Sequence, residues 1–125
     1  MSKLTVVRHP LIDHKMAIIR DKKTNTKDFR EAISEIGMLI TYEISRDFKT
    51  KEKTIETPLI KTTVNVLKNN IVIVPILRAG MGMVDGIHRI IPQAKIGHLG
   101  LYRDQKTLEP HVYFNKLPLN ISSAT

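Results

Sequence analysis

The sequence predicts an α/β protein with a parallel sheet core, an N-terminal helical region and an antiparallel β-arm. The core is predicted by the continuously apolar, β-branched run at residues 71–74, because a strand buried on both faces of a parallel sheet has this composition. A glycine-bearing loop at residues 78–82 and a helical pattern over residues 84–91 follow that run. A strand, a loop and a helix in this order are typical of the crossover that joins two parallel strands.

Two helices are predicted before the core. Pro10 suits a first helical turn, where its missing N–H would have no partner, and this helix should run to about Arg20. A second helix is expected from a capping Thr26 to about Phe48, with Asp28 near the positive end of its dipole. Its apolar residues recur three or four positions apart and predict one buried stripe, formed by Phe29, Ile33, Ile36, Ile40 and Ile44.

The segments around these helices are expected to be shorter elements. Residues 3–8 alternate loosely between apolar and polar side chains, which predicts a short strand. Residues 54–57 are expected to form a strand or arm, and residues 58–68 a helix or an irregular packed segment. The pair Asn69-Asn70 indicates a turn before the core begins.

A second core strand is predicted over residues 95–101, ending at residues 102–104. A turn then leads to residues 111–117, whose alternating pattern indicates an antiparallel partner strand. Pro75 has no backbone N–H, so the hydrogen bonding of the first core strand should weaken there.

The domain organisation follows from these elements. Residues 1–70 are assigned to the helical region and arm, and residues 71–125 to the start of the α/β core. The tail at residues 120–125 is polar and small and predicts no helix or strand. Two central strands and one crossover make an under-built sheet, so we expect the chain to be the N-terminal part of a single larger domain.

The composition excludes several classes of function. The 125 residues include no cysteine, which rules out disulfides, zinc held by thiolates and thiol catalysis. No apolar run approaches the ~20 residues of a membrane span, and the first residues lack the apolar stretch of a signal peptide. We therefore expect a cytoplasmic protein without a membrane segment.

The formal net charge of +8, from 20 basic and 12 acidic residues, first suggests a nucleic-acid partner. However, acids and bases are interleaved, and the tightest basic cluster, Lys49, Lys51 and Lys53, contains Glu52. The few aromatic residues are too scattered along the sequence to predict a stacking platform. The positive charge is therefore better explained by small phosphorylated ligands and a solvated surface than by nucleic acid. RNA binding is kept as the last of the functional hypotheses.

The loop after the first core strand carries a candidate anion site. Ligands of open α/β sheets collect at the carboxyl ends of the strands, and Arg78 offers a charged, two-pronged donor for phosphate oxygens. Small residues at Ala79 and Gly80 would let the backbone approach an anion, and the helix that follows adds its positive end. The alternative is an ordinary strand-to-helix turn with a surface arginine.

Arg103, at the end of the second core strand, is a candidate for the same anion. The alternative is a salt bridge with the adjacent Asp104 or with another nearby acidic residue. The five histidines show no spacing typical of metal ligands, so no metal site is predicted. No catalytic residue is assignable from the sequence.

Several strings together resemble the uracil phosphoribosyltransferase family. Residues 74–83 read Val-Pro-Ile-Leu-Arg-Ala-Gly-Met-Gly-Met and resemble the pyrophosphate-side loop of that family. Residues 97–104 and 107–110 are similar to its next stretch, and His9-Pro10-Leu11-Ile12 with Phe29-Arg30 are similar to its opening. The strings occur in the family's order and span nearly the whole chain.

This resemblance implies an incomplete type I phosphoribosyltransferase fold and a role in pyrimidine salvage. The family transfers ribose 5-phosphate from phosphoribosyl pyrophosphate to uracil, giving UMP and pyrophosphate. By motif position, Arg78 and Arg103 would bind the donor's diphosphate, and Ala79 and Gly80 would line the same cavity. The resemblance also implies Mg²⁺ accompanying the donor, GTP as an effector of some members, and a homodimer or higher homo-oligomer.

The chain departs from the family pattern in one respect. It has no acidic strand followed by a Thr-Gly-Gly type loop for the 5-phosphate, and no later uracil loop. The residues that bind ribose 5-phosphate and uracil are therefore not assigned, and we expect a fragment or truncated product of a longer enzyme. The alternative function is a truncated, non-catalytic assembly or regulatory module that is inactive on its own.

Overall fold

In the computed structural model, which describes residues 2–119 and 121–125, two helices form the N-terminal region as predicted. Helix α1 spans Pro10–Arg20 and helix α2 spans Thr26–Ile44. The His9 ring accepts a hydrogen bond from the Leu11 N–H at 3.1 Å and so caps α1. Proline then occupies the first helical position, where it loses no hydrogen bond.

Helix α2 differs from its prediction at both ends and along its buried face. Its N-cap is Asn25, whose side chain accepts the Asp28 N–H at 2.8 Å, and not Thr26. The α-helix ends at Ile44, and a short 3₁₀ turn, Ser45–Asp47, continues the chain. The predicted stripe is only partly right, because its end members Phe29 and Ile44 are exposed, and the residues that α2 buries are Ala32, Ile36, Gly37 and Thr41.

The predicted strand at residues 3–8 is wrong. This segment forms no strand with the other described residues, and its residues 3–7 lie beside the helices instead. It lines an apolar cavity of about 730 Å³ together with Ile12, Ile40 and Ile44. An alternating pattern produces a strand only where a neighbouring strand offers hydrogen bonds.

The arm is a two-stranded antiparallel ribbon. Strand β1, Thr50–Glu56, pairs with strand β2, Lys61–Leu67, from Thr50 opposite Leu67 to Glu56 opposite Lys61. The helix or irregular segment predicted for residues 58–68 is therefore wrong. Within β2 the half-buried side chains are every second residue, Thr62, Val64 and Val66, and β-branched residues in that pattern favour a strand.

The core contains the predicted parallel pairs. Strand β3, Val72–Ile73, pairs with β5, Lys95–Ile96, and β4, Ile76–Leu77, pairs with β6, His98–Arg103. The parallel-sheet prediction is confirmed.

The two parallel pairs are successive parts of one ladder, interrupted near Pro75. The Gly97 N–H donates to the Ile73 carbonyl at 2.9 Å and the Leu99 N–H to the Pro75 carbonyl at 3.3 Å. The strand assignment breaks at Val74 and Pro75, so the predicted weakening at this proline is confirmed.

Helix α3, Met81–Ile90, connects β4 to β5 and begins three residues earlier than predicted. Strand β7, Pro110–Lys116, runs antiparallel to β6, as predicted, and a bulge lies at Gly100 and Leu101. Mixed α/β architecture with a parallel core and antiparallel additions is therefore the observed fold class.

The main core lies between the sheet and α3. Its buried residues are all apolar and lie in or next to β3, α3 and β5: Ile71, Ile73, Val84, Ile91 and Ala94. Helix α2 packs closely against α3. A Cβ added at Gly86 of α3 would lie 1.9 Å from the carbonyl oxygen of Ser34 in α2. This helix–helix contact joins the N-terminal region to the core.

The last described residues add to the sheet, where the sequence predicted no element. Ala124 forms a parallel bridge with Asn70, and the Val72 N–H donates to the Thr125 carbonyl at 2.9 Å. A short 3₁₀ turn, Ile121–Ser123, precedes them, and Asn120 lies outside the described residues. Strand β3 therefore has hydrogen-bonded neighbours on both sides.

Candidate anion-binding site

The two predicted arginines lie at the same end of neighbouring parallel strands. Arg78 directly follows β4, and Arg103 is the last residue of β6. Both side chains are exposed. Because Leu77 pairs with Gly100, Arg78 is level with Leu101, and Arg103 lies two residues further along β6, an offset of about 7 Å.

The loop after β4 uses its own backbone amides to form the turn. The Gly80 N–H donates to the Ile76 carbonyl at 2.8 Å, and the N–H groups of residues 81–83 donate to the carbonyls of residues 78–80 at 3.1 to 3.4 Å. The peptide bond between Leu77 and Arg78 is cis. The amides of residues 80–83 are therefore occupied within the turn, and the exposed Arg78 guanidinium is the charged group that this loop offers to an anion.

Gly80 is required for a reason other than ligand clearance. Its backbone is helical, with φ −63° and ψ −18°, so a left-handed conformation does not explain the glycine. A Cβ there would lie 2.8 Å from both the backbone N and O of Ile76. Because the turn folds directly back on β4, only glycine fits without moving the chain.

Neither arginine has an acidic partner in the described residues. The ion pairs found there join Lys15 to Glu35, Lys27 to Glu31 and Arg46 to Glu43. The alternative in which Asp104 neutralises Arg103 is thus not what the structure shows. Two exposed guanidinium groups at one sheet edge are available to an external anion.

The Asp104 carboxylate has backbone partners instead. Its Oδ1 accepts the Lys106 N–H at 2.8 Å and the Thr107 N–H at 2.9 Å. These hydrogen bonds, with that of Thr107 the larger cause, hold the pKa of the Asp104 carboxyl below its ordinary value. The carboxylate is therefore charged at neutral pH and directed at the turn.

An open cleft of about 630 Å³ lies beside Arg103 and is lined by the run of residues 102–106. Arg78 does not belong to that lining. The structure thus places the arginines on neighbouring strand ends, and their convergence on one anion remains a prediction. Ala79 is exposed and Gly80 is half-buried in the same loop as Arg78.

Sequence reasoning missed an aromatic cluster on the β6–β7 ribbon. The Tyr102 and His111 rings stack with centroids 5.3 Å apart, and Tyr113 lies 6.3 Å from Tyr102. Tyr102 and Tyr113 are 54% and 55% exposed, so two of the tyrosines that are scattered in the sequence lie together on this ribbon. Tyr102 pairs with His111 across the ribbon. The sequence would have predicted this aromatic cluster if the length of the turn between β6 and β7 had been known.

Two negative findings apply only to the described part of the chain. No group of three or more His, Asp or Glu side chains there could hold a metal ion. Residues 2–119 and 121–125 also contain no helix long and apolar enough to cross a membrane.

A parallel sheet with arginines at adjacent strand ends is typical of the open α/β proteins, whose ligand sites lie at the carboxyl edge of the sheet. The family model described as "Uracil phosphoribosyltransferase" matches residues 6–125. The chain belongs to the uracil phosphoribosyltransferase family.

Individual relatives agree with this assignment. The uracil phosphoribosyltransferase of Acholeplasma laidlawii is 63% identical over 121 residues, and that of Clostridium tetani is 60% identical over 122 residues. Each alignment covers 97% of this chain and 58% of the relative. The solved structure of the AQ2163 protein from Aquifex aeolicus superposes with a TM-score of 0.86 at 37% identity, covering 91% of this chain and 55% of that one.

The chain thus spans a little over half the length of the relatives it matches. The pyrophosphate-side loop and the β6–β7 ribbon lie inside the matched residues 6–125. The family and the fold class predicted from sequence are confirmed.

Proposed function

We propose that the protein containing this chain transfers ribose 5-phosphate from phosphoribosyl pyrophosphate to N1 of uracil, giving UMP and pyrophosphate. Family membership over residues 6–125 supports the reaction. The observation that carries the assignment within this chain is the pair of unpartnered arginines, Arg78 and Arg103, at the carboxyl ends of two paired parallel strands.

In this reaction the bond from the ribose C1 to the pyrophosphate oxygen breaks, the bond from C1 to N1 of uracil forms, and N1 loses its proton. Negative charge then accumulates on the departing pyrophosphate. Fixed positive groups that face this charge lower the barrier, because they are already oriented before the bond breaks. We assign that role to the guanidinium groups of Arg78 and Arg103, with the backbone at Ala79 and Gly80 forming the wall of the same site.

The described residues offer no carboxylate cluster for a resident metal ion. We propose, from family membership, that Mg²⁺ would accompany the diphosphate donor and supply further positive charge there, and we assign it no ligand among the described residues. GTP as an effector, a homo-oligomeric state and a cytoplasmic location belong to the same proposal. They are supported only by family membership.

The proposal is tested with the protein as its gene encodes it, by following UMP formation from labelled uracil and phosphoribosyl pyrophosphate with Mg²⁺. Replacing Arg78 or Arg103 by alanine removes a charge-assisted contact, so kcat/KM for the donor should fall about ten- to hundredfold. Arg20→Ala is the matched control, since Arg20 is exposed in the last turn of α1, outside the site.

Absence of UMP from the unmodified protein would remove the proposed reaction and leave the non-catalytic module as the better reading. Normal UMP formation by both arginine variants would keep the reaction and reject the roles given to these two residues.

A further inference from the structure

The turn between β6 and β7 is built around one residue, Asp104. Its carboxylate accepts the N–H groups of Lys106 and Thr107 at 2.8 and 2.9 Å. Its backbone N–H donates to the Glu109 carbonyl, and its carbonyl accepts the Leu108 N–H, each at 2.9 Å. Four hydrogen bonds thus close residues 104–109 onto themselves.

These hydrogen bonds act directly on the neighbouring Arg103. Arg103 is the last residue of β6 and pairs with Pro110, the first residue of β7. Hydrogen-bonded and non-hydrogen-bonded pairs alternate along antiparallel strands, and because the Asp104 N–H bonds to the Glu109 carbonyl, Arg103 and Pro110 form a pair with no hydrogen bond of its own. The turn around Asp104 closes the ribbon one residue beyond this pair and keeps the Arg103 backbone in the strand.

In this arrangement Asp104 is not in an ion pair with Arg103. A carboxylate next in sequence to an arginine would ordinarily compete with an external anion for the guanidinium. Here Oδ1 is bonded to two backbone amides, and no ion pair joins Asp104 to Arg103 in the described residues. The side chain that could compete with the diphosphate is engaged in forming the turn.

We propose that Asp104 is a positioning residue for Arg103, acting by accepting the backbone amides of the turn and not by its charge. This inference rests on the diphosphate-binding role proposed for Arg103. It predicts that Asp104→Ala lowers the affinity for the anion more than Asp104→Asn does. Removing the acceptor should weaken anion binding, although it also removes a negative charge that would repel the anion.

The test measures pyrophosphate affinity by calorimetry, and kcat and KM for the donor, in the protein as its gene encodes it. Asp104→Ala should lower pyrophosphate affinity about tenfold, because misplacing a charged ligand-binding group has effects of this order or greater. Asp104→Asn keeps a side-chain oxygen that accepts both amides and should retain most of the affinity. Asp21→Ala is the control, since Asp21 accepts the Lys23 N–H at 2.9 Å in a similar surface turn after α1.

A double substitution separates positioning from general loss of stability. If Asp104 acts through Arg103, then Asp104→Ala should cost almost nothing further in a protein that already carries Arg103→Ala. Amide exchange at residues 106 and 107 shows independently whether the turn has opened. The Asp21→Ala variant should match the unmodified protein in both measurements.

Three results would overturn the inference: unchanged or tighter pyrophosphate binding by Asp104→Ala, equal losses in Asp104→Asn and Asp104→Ala, or additive losses in the double variant. Failure of the proposed function is a different result. In that case the unmodified protein makes no UMP, while its pyrophosphate affinity still reports on Asp104.

Discussion

At the residue scale, the positions of the two candidate arginines were predictable but their backbone setting was not. Arg78 and Arg103 lie at strand ends, as expected from the apolar runs before them, and their role toward an anion, which the family resemblance implies, stays a prediction. The reason for Gly80 could not be predicted, since its contact with Ile76 appears only when the turn is folded. Sequence also gave no indication of a cis bond before Arg78, because such bonds occur almost entirely before proline.

Leu108 is the described non-glycine residue with positive φ, at 61°, and its side chain is 65% exposed. A left-handed conformation costs an L-residue roughly 1–2 kcal/mol, and little buried surface offsets that cost here. Leu108→Gly removes the steric strain but adds about 0.5–1 kcal/mol of chain entropy to the unfolded state. We expect a net increase of about 0.5 kcal/mol in the free energy of unfolding, measured by urea denaturation.

Leu59→Gly is the matched control for this prediction. Leu59 is also a leucine at a hairpin tip and is 91% exposed, but its φ is not positive. Glycine there adds only entropy to the unfolded chain and should lower stability. If both substitutions changed the unfolding free energy equally, strain at Leu108 would be disproved.

At the element scale, helices with specific start signals and strands with continuous burial were predictable. Pro10 and the polar loop before α2 marked helix boundaries, and the apolar run at residues 71–74 marked a core strand. Strand β2 was missed because Leu59, Ile60 and Val64 also suit a helical spacing. Only pairing with β1 decides between the two structures.

The packing of α2 on α3 depends on Gly86. A Cβ at this position would lie 1.9 Å from the oxygen and 2.7 Å from the carbon of the Ser34 carbonyl. Both are backbone atoms, so Gly86→Ala can be accommodated only by separating the helices. We expect a loss of about 1–3 kcal/mol in the free energy of unfolding, the usual range for overpacking, measured by thermal or urea denaturation.

Gly82→Ala in the same helix is the control. A Cβ there would meet only the Ile33 side chain, with Cγ2 at 3.0 Å, and a side chain moves more readily than a backbone. Replacing glycine by alanine inside a helix also gains about 1 kcal/mol. Stability close to or above that of the unmodified protein is expected, and equal losses at both positions would contradict the close-packing argument.

At the scale of the whole molecule, the helical region and the core are joined by the α2–α3 contact, while the arm is a separate two-stranded sheet formed by β1 and β2. A ribbon of two strands is at best marginally stable alone in water. The turn at its tip is closed by the Thr57 hydroxyl oxygen, which accepts the Ile60 N–H at 3.0 Å. The tip presents Leu59 and Ile60 with 91% and 67% of their surfaces exposed.

We expect the protein to self-associate, with the arm tip contributing to the contact, because ordered and exposed apolar groups favour association. Sedimentation velocity at micromolar concentration should show a dimer or larger species. Replacing Leu59 and Ile60 together by serine should shift the distribution toward the monomer.

Leu119→Ser is the control for that experiment, since Leu119 is 87% exposed but lies outside the arm. A monomeric unmodified protein, or an equal shift with Leu119→Ser, would show that the arm tip has no particular part in association.

The turn after β4 has a consequence for discrimination among anions. Its amide groups at residues 80–83 already have carbonyl partners, so under the role proposed for this site an anion would meet the exposed Arg78 guanidinium and not those amides. Attraction to a single guanidinium barely distinguishes sulfate, orthophosphate and a diphosphate ester. Under the same proposal, a preference for the longer anion would arise from the separation between Arg78 and Arg103 on the adjacent strand, which only a two-centred ligand can bridge.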